Sequence, residues 1–259
     1  MVRSKIQDLL TFCLGIVLIG VLVQAAGTLK GDILVFPGVD EILRAFVRLI
    51  TTAETYRMIW TTLQHLIVSM AVSTMIGIAL GLLQGMNRFI RNLMKPLMIM
   101  LRSMPMVILI VIVMVVVKYD KVPVIASSII LVPMIAEAAC EGCVRIDKEL
   151  IDVYRMNANF NVRVLFQVYL PLMAGYLRQA WVNAAGMGVK LAVSTEYLVQ
   201  TKNSLGKAVH TSGYFNEYQD IYAYALVMIL LVLLVSEAPV WVMNAVSRWK
   251  NRNLEQERP

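Results

Sequence analysis

A few charged side chains inside long apolar runs are the residues best placed to do chemistry in this sequence. Lys190 lies deep in one run, and Arg102, Arg178, Glu137 and Glu237 lie within others or near their ends. If these runs cross a bilayer, such charges are costly unless they are paired or face a polar cavity. Lys190 therefore faces a cavity that attracts an anion, pairs with Glu137 or Glu237, or snorkels to the membrane surface.

Three of the charged residues are candidates for lining a polar pathway: Lys190, Glu196 and Arg102. Glu196 follows Lys190 near the end of the same apolar run. Arg102 lies close to the end of its own run, where snorkelling to phosphate headgroups is the favoured interpretation.

The sequence lacks the patterns of an enzyme or a metal centre. Cys140 and Cys143 form a lone C-x-x-C with no second pair, and His65 and His210 are far apart. No G-x-x-x-x-G-K-[ST] loop occurs, so the chain has no P-loop to hold ATP phosphates. We therefore predict no catalytic residues, no metal ligands and no bound cofactor.

The composition is that of an integral membrane protein. Of the 259 residues, 59% are hydrophobic and 16% are charged, whereas roughly a quarter of the residues in a soluble domain are charged. This excludes an ordinary soluble globule, and the apolar content excludes a disordered chain. The net charge of +7 is better explained by basic cytoplasmic loops than by nucleic-acid binding.

The apolar runs predict an all-α integral membrane protein with about six transmembrane helices, because a helix needs roughly 20 apolar residues to cross a bilayer. The basic residues are more frequent on the side that holds both ends of the chain, which predicts cytoplasmic termini. We expect a single domain over residues 1–259, with spans at about 9–29, 59–86, 96–117, 122–140, 164–195 and 221–246.

Shorter patterns predict how these helices are connected and packed. Residues 30–57 can hold a surface helix after Phe36-Pro37-Gly38. Its apolar residues on one face would be Leu43, Phe46, Val47 and Ile50. Residues 118–121 make only a tight turn. Two overlapping G-x-x-x-G units predict close helix packing, within the subunit or at a dimer interface. Their glycines are Gly77, Gly81 and Gly85.

The charged segment at about 143–163 is the most specific part of the sequence. Asp147 is suited to cap a helix, and Glu149 suits its first turn. From Asp152 the chain reads Asp-Val-Tyr-Arg-Met-Asn-Ala, then nine residues, then Val168-Tyr169-Leu170-Pro171. This resembles the EAA loop, E-A-A-x-x-x-G, nine residues, I-x-L-P, of the membrane subunits of binding-protein-dependent ABC importers.

Further motifs resemble the nitrate, sulfonate and taurine branch of that family. They are Phe36-Pro37, Arg102-Ser103-Met104-Pro105, the Gly142 to Leu150 stretch, Glu196-Tyr197-Leu198 and Ser204-Leu205-Gly206. The loop departs from the family pattern at Asp152, Tyr154 and Ala158, which stand for Glu, Ala and Gly. Asn157 and Asn159 flank Ala158, and Asn tolerates the left-handed turn that the missing glycine would make.

The resemblance implies a permease subunit of an ABC importer for a small solute such as nitrate, a sulfonate or taurine. It implies a cytoplasmic coupling helix between spans 4 and 5 that docks on a separate ATPase, where ATP and Mg²⁺ bind. The coupling residues are Asp147, Glu149, Asp152, Tyr154, Arg155, Asn157, Ala158 and Asn159.

The implied partners are an ATPase dimer, an extracellular or periplasmic solute-binding protein, membrane lipid and a second permease subunit. With one sequence, a homodimer is expected. The implied location is a bacterial-type inner membrane. A stand-alone secondary transporter or channel is the alternative, but it would need an inverted repeat or a chain of intramembrane carboxylates. A membrane enzyme would need a catalytic constellation, and neither pattern is evident.

Overall fold

The computed structural model describes residues 37–146, 149 and 168–236. Over these residues the regular structure is helical, with one 3₁₀ turn at Tyr119–Lys121. The α-helices are α1 Val39–Thr51, α2 Ala53–Met86, α3 Arg88–Ser103, α4 Met106–Val116, α5 Val122–Val144, α6 Leu170–Val199, α7 Leu205–Tyr214 and α8 Tyr218–Ser236.

Three of the described helical segments are long and apolar enough to cross a membrane: α2, α5 with its preceding turn, and α8. The bent pair α3 and α4 makes a fourth if it is counted as one span. The predicted all-α membrane protein is therefore confirmed, with three to four candidate spans in the described residues. α6, where the fifth span was predicted, is not among them. The predicted span 9–29, the first residues of the fifth span and the end of the last one lie outside the described residues.

The predicted span at 96–117 is wrong as a continuous helix. α3 begins at Arg88, where the Asn87 side chain accepts a hydrogen bond from the Phe89 N–H (2.9 Å). α4 then leaves α3 at an angle of 101°. The break falls at Met104 and Pro105, because proline has no N–H to continue the helix and forces the preceding residue into an extended conformation.

The core of the described structure is formed by α2, α5 and α6, with α2 and α5 packed most extensively. Gly77, Gly81 and Gly85 lie along the α2 face that meets α5. A Cβ atom at Gly81 would lie 2.4 Å from Ala139 Cβ and 2.5 Å from the Ala136 carbonyl oxygen. The glycines therefore let the two backbones approach, and this contact lies within one subunit.

The predicted surface helix at 30–57 is present as α1, and Leu43, Val47 and Ile50 share its exposed face. Ile42, Ala45 and Leu49 are buried, whereas Leu43 and Val47 are more than half exposed. Both sides of α1 carry apolar residues at helical spacing, so periodicity alone cannot choose between them. The predicted tight turn at 118–121 is present as the 3₁₀ turn.

Candidate functional site

The predicted coupling segment lies mostly outside the described residues. Within it, Glu149 is described, and it is helical and exposed. The other predicted coupling residues are outside: Asp147, Asp152, Tyr154, Arg155, Asn157, Ala158 and Asn159.

Both ends of that segment are anchored in the helical core. Cys143 near the end of α5 and Val168, Tyr169 and Met173 around the start of α6 are buried in one cluster with Leu82 of α2. The chain therefore leaves and re-enters the bundle at fixed points.

α6 has one small, buried face and one polar, exposed face. The buried face carries Ala180, Ala184, Gly188 and Ala192 and packs on α2 and α5. Five polar exposed residues recur at intervals of three, four or seven along the helix, which places them on one side. They are Gln179, Asn183, Lys190, Ser194 and Tyr197, and we call them the α6 polar face. Arg178 is also exposed but lies outside this spacing.

Hydrocarbon cannot satisfy these polar groups, so in a membrane the α6 polar face meets water or protein. The Gln179 side-chain amide donates to Asn183 Oδ1 (3.3 Å), one turn along the same face. The ring of Tyr197 lies edge-on to His210, with a centroid separation of 5.1 Å.

Lys190 is exposed on α6 and forms no ion pair within the described residues. The carboxylate of Glu137 pairs with Arg102 instead, which removes one of the predicted partners of Lys190. The other predicted partner, Glu237, lies outside the described residues.

Arg102 occupies the last turn of α3 and pairs with Glu137 of α5. Both side chains are more than half exposed, at 63% and 53%. An ion pair this exposed contributes little to stability.

Glu196 is fully enclosed near the end of α6. Its Oε2 accepts hydrogen bonds from the Thr62 hydroxyl (2.8 Å) and the Gly206 N–H (3.2 Å), and its Oε1 lies 2.7 Å from His65 Nδ1. Thr62 Oγ1 in turn accepts from the Leu205 N–H (3.1 Å). In this arrangement no solute can reach the Glu196 carboxylate.

This hydrogen-bonded cluster joins three helices. Thr62 and His65 come from α2, Glu196 from α6, and the two backbone N–H groups from the first turn of α7. The joint also requires Gly206, because a Cβ there would lie 2.4 Å from the Val193 carbonyl oxygen and 2.5 Å from the Tyr197 nitrogen. The cluster fixes the position of α7 on α6.

The sequence indicates Glu196 and Gly206. It does not indicate Thr62, and for His65 it favours a packing role without identifying the partner. Both lie in a long apolar run that gives no sign of a partner 134 or 131 residues away. Among the described residues, no group of three or more His, Cys, Asp or Glu side chains could hold a metal ion.

Solved structures with the same fold are subunits of ABC transporters. A chain of the MetNI methionine ABC transporter in an inward-facing conformation has a TM-score of 0.65 at 20% identity, covering 74% of this chain and 95% of that chain. A chain of a bacterial ABC transporter that imports the acidic polysaccharide alginate has a TM-score of 0.65 at 15% identity, covering 94% of this chain and 96% of that chain.

A third structure is the alginate transporter in complex with a periplasmic protein bound to an alginate pentasaccharide. One of its chains has a TM-score of 0.59 at 14% identity, covering 89% of this chain and 93% of that chain. At such identities the similarity is one of fold. A comparison with curated proteins gave no match.

The sequence itself carries the family assignment. Residues 73–252 match the family described as the inner membrane component of binding-protein-dependent transport systems. The match takes in α5, α6 and α7, and therefore the α6 polar face and most of the Glu196 cluster. The chain belongs to this family, and it is a multi-pass inner-membrane permease subunit of a binding-protein-dependent ABC importer, with no ATPase activity of its own.

Proposed function

We propose that this permease subunit forms the pathway for a small anionic solute, such as nitrate, a sulfonate or the sulfonate group of taurine. The α6 polar face is the observation that carries the proposal. It places Lys190, an exposed lysine with no ion pair among the described residues, between amide and hydroxyl groups on a helix whose opposite face is buried.

The chemistry of the α6 polar face suits an oxyanion. Lys190 supplies positive charge, and the amides of Gln179 and Asn183 and the hydroxyl of Ser194 supply hydrogen-bond donors. A charged donor makes a stronger hydrogen bond to an oxyanion than a neutral one does. The motif resemblance to the nitrate, sulfonate and taurine branch supports the same class of solute.

The proposal includes the other parts of the importer. Two copies of the subunit enclose the pathway, a separate ATPase dimer binds ATP and Mg²⁺, and residues 147–158 form the coupling helix that docks on the ATPase. A solute-binding protein delivers the solute from the opposite side of the membrane. Both termini are then cytoplasmic, and the chain has six spans. A stand-alone transporter does not fit the family, whose members are components of a larger system.

Within this proposal, Glu196 and Arg102 do not contact the solute. Glu196 holds α7 in position through its buried hydrogen bonds. Arg102 remains at the membrane surface with Glu137.

Replacing Lys190 with methionine tests the proposal. In proteoliposomes containing the complete importer, we expect K190M to lower the uptake of the anionic solute by roughly ten-fold or more, because one charged hydrogen bond is lost. Co-purification of the ATPase should be unchanged. K190R should retain most of the uptake because it keeps the charge.

K121M is the matched control, since it removes an equal charge from the exposed turn before α5. Its uptake should equal that of the unmodified importer. Normal uptake by K190M would show that Lys190 does not contact the solute.

A further inference from the structure

A cleft lined by five residues with hydrogen-bond donors lies at the junction of α2 and α3, where α5 ends. Its volume is about 660 Å³. The donors on its walls come from α2, from α3 and from the first residue after α5. They are Gln84, Arg91, Asn92, Lys95 and Arg145. The cleft is separate from the α6 polar face and does not depend on the identity of the transported solute.

One donor in the cleft lacks a partner among the described residues. Gln84 is 5% exposed, and no described group accepts a hydrogen bond from its Nε2. Buried side-chain donors are nearly always satisfied, so an orphaned amide at the wall of a cleft points to an acceptor that belongs there.

The two basic residues of α3 in the cleft are not neutralised by a carboxylate within the described residues. Arg91 donates from Nε to the Gln84 carbonyl (3.0 Å) and from an Nη to the Gly85 carbonyl (3.1 Å), at the C-terminal end of α2. These bonds use two of its five N–H groups. Lys95 forms no ion pair among the described residues.

Two carboxylates also line the cleft, but each already has a basic partner. Glu141 accepts from Arg145 at 2.8 Å, and Glu137 pairs with Arg102. Among the described residues, positive charge from Arg91 and Lys95 therefore remains beside the unpaired amide of Gln84.

We propose that this cleft binds a phosphate-type oxyanion, which is either the headgroup of an anionic phospholipid or free inorganic phosphate. Guanidinium, ammonium and amide donors converge there, and the first two are the common phosphate binders of proteins. The apolar part of the wall, at Met98, Ile99 and Val144, suits the acyl chains of a lipid.

The test uses the full-length chain in nanodiscs and two probes. Binding of phosphatidylglycerol is measured by native mass spectrometry after release from phosphatidylcholine nanodiscs that contain it. Binding of labelled inorganic phosphate is measured by equilibrium dialysis in nanodiscs of phosphatidylcholine alone. The variants are K95M and Q84L, and K121M is the charge-matched control at the turn before α5.

We expect K95M to weaken binding of the effective probe about ten-fold and Q84L about three-fold, since a charged hydrogen bond contributes more than a neutral one. K121M should bind like the unmodified chain. Q84L should also unfold at the same temperature or a higher one in the absence of the probe, because it removes an unsatisfied buried donor.

Each outcome decides the proposal. Binding of phosphatidylglycerol alone assigns a lipid site, and binding of phosphate without the anionic lipid assigns a site for the free ion. Failure of both probes to bind overturns the proposal. Equal loss of binding in K95M and K121M also overturns it, because the attraction would then come from net charge and not from the cleft.

Discussion

At the residue scale, the carboxylate of Glu196 connects three helices in the described part of the chain. It is fully buried, and its oxygens meet a hydroxyl, an imidazole and a backbone N–H from two other helices. A buried carboxylate is tolerated only with such partners. The cluster therefore specifies how α2, α6 and α7 fit together.

Replacing Glu196 separates the effect of its shape from that of its hydrogen bonds. E196L leaves the Thr62 hydroxyl and the Gly206 N–H without their acceptor, at a cost of roughly 1–3 kcal/mol each. E196Q keeps one acceptor oxygen for them and should be much milder. Thermal unfolding in detergent measures the difference, and equal stability of the two variants would contradict the assigned role.

The residue-scale features differ in how far the sequence could reveal them. Lys190 stands out because a charge in an apolar run is rare, and Glu196 and Gly206 stand out through a motif. Nothing in the sequence shows that Glu196 is enclosed or that Thr62 is its partner, because the pair is 134 residues apart and forms only when α2 and α6 pack.

At the element scale, the glycine face of α2 decides how closely α5 can approach. The face continues beyond the glycines through Ser69 and Ser73, and Ser73 Oγ lies 3.4 Å from the Ser128 carbonyl oxygen of α5. Small residues at every fourth position make a flat surface. The contact at Gly81 leaves no space for a side chain.

Two glycine-to-alanine substitutions test this packing. G81A should destabilise the fold by roughly 1–3 kcal/mol, because the added methyl forces α2 and α5 apart. G175A is the control, since nothing lies within 4 Å of a Cβ at that position of α6. It should be neutral or slightly stabilising, because alanine favours helix over glycine. The measurement is the midpoint temperature of thermal unfolding. If G81A unfolded at the same temperature as G175A, the packing role of Gly81 would be contradicted.

The boundaries of elements were harder to predict than their existence. The uncharged run from residue 58 indicates α2, but the helix begins at Ala53, since Glu54 and Arg57 extend it past its apolar part. The sequence places the start of the next helix at Pro96, but α3 begins at Arg88, because its charged first half interrupts the apolar run and Pro96 lies inside the helix. The 101° bend depends on Pro105 and on packing, which hydropathy does not record.

At the scale of the whole molecule, the charged residues of this apolar chain separate into regions with different proposed roles. The α6 polar face carries the proposed solute contacts, the donor-lined cleft carries the proposed oxyanion site, and residues 147–158 carry the proposed coupling helix. The buried cluster of Cys143, Val168 and Met173 fixes the ends of that last segment. Movement of an attached ATPase would thus reach α5 and α6 directly.

Reversing charges in the proposed coupling helix tests this connection. The double variant D152K and R155E should lose ATPase association or solute-stimulated ATP hydrolysis by about ten-fold, because surface complementarity with the partner is inverted. Membrane insertion and thermal stability should stay close to those of the unmodified chain. If the double variant co-purified with the ATPase and supported ATP hydrolysis at normal levels, residues 147–158 would not be the coupling helix.

ATP-dependent uptake in proteoliposomes tests the central claim most directly. The chain is reconstituted with its ATPase, and the solute-binding protein is supplied on the outside. Accumulation of the anionic solute should require ATP, the ATPase and the binding protein together, because the chain has no P-loop and its family acts with a binding protein. Uptake by the chain alone, driven by a solute or ion gradient, would contradict the account.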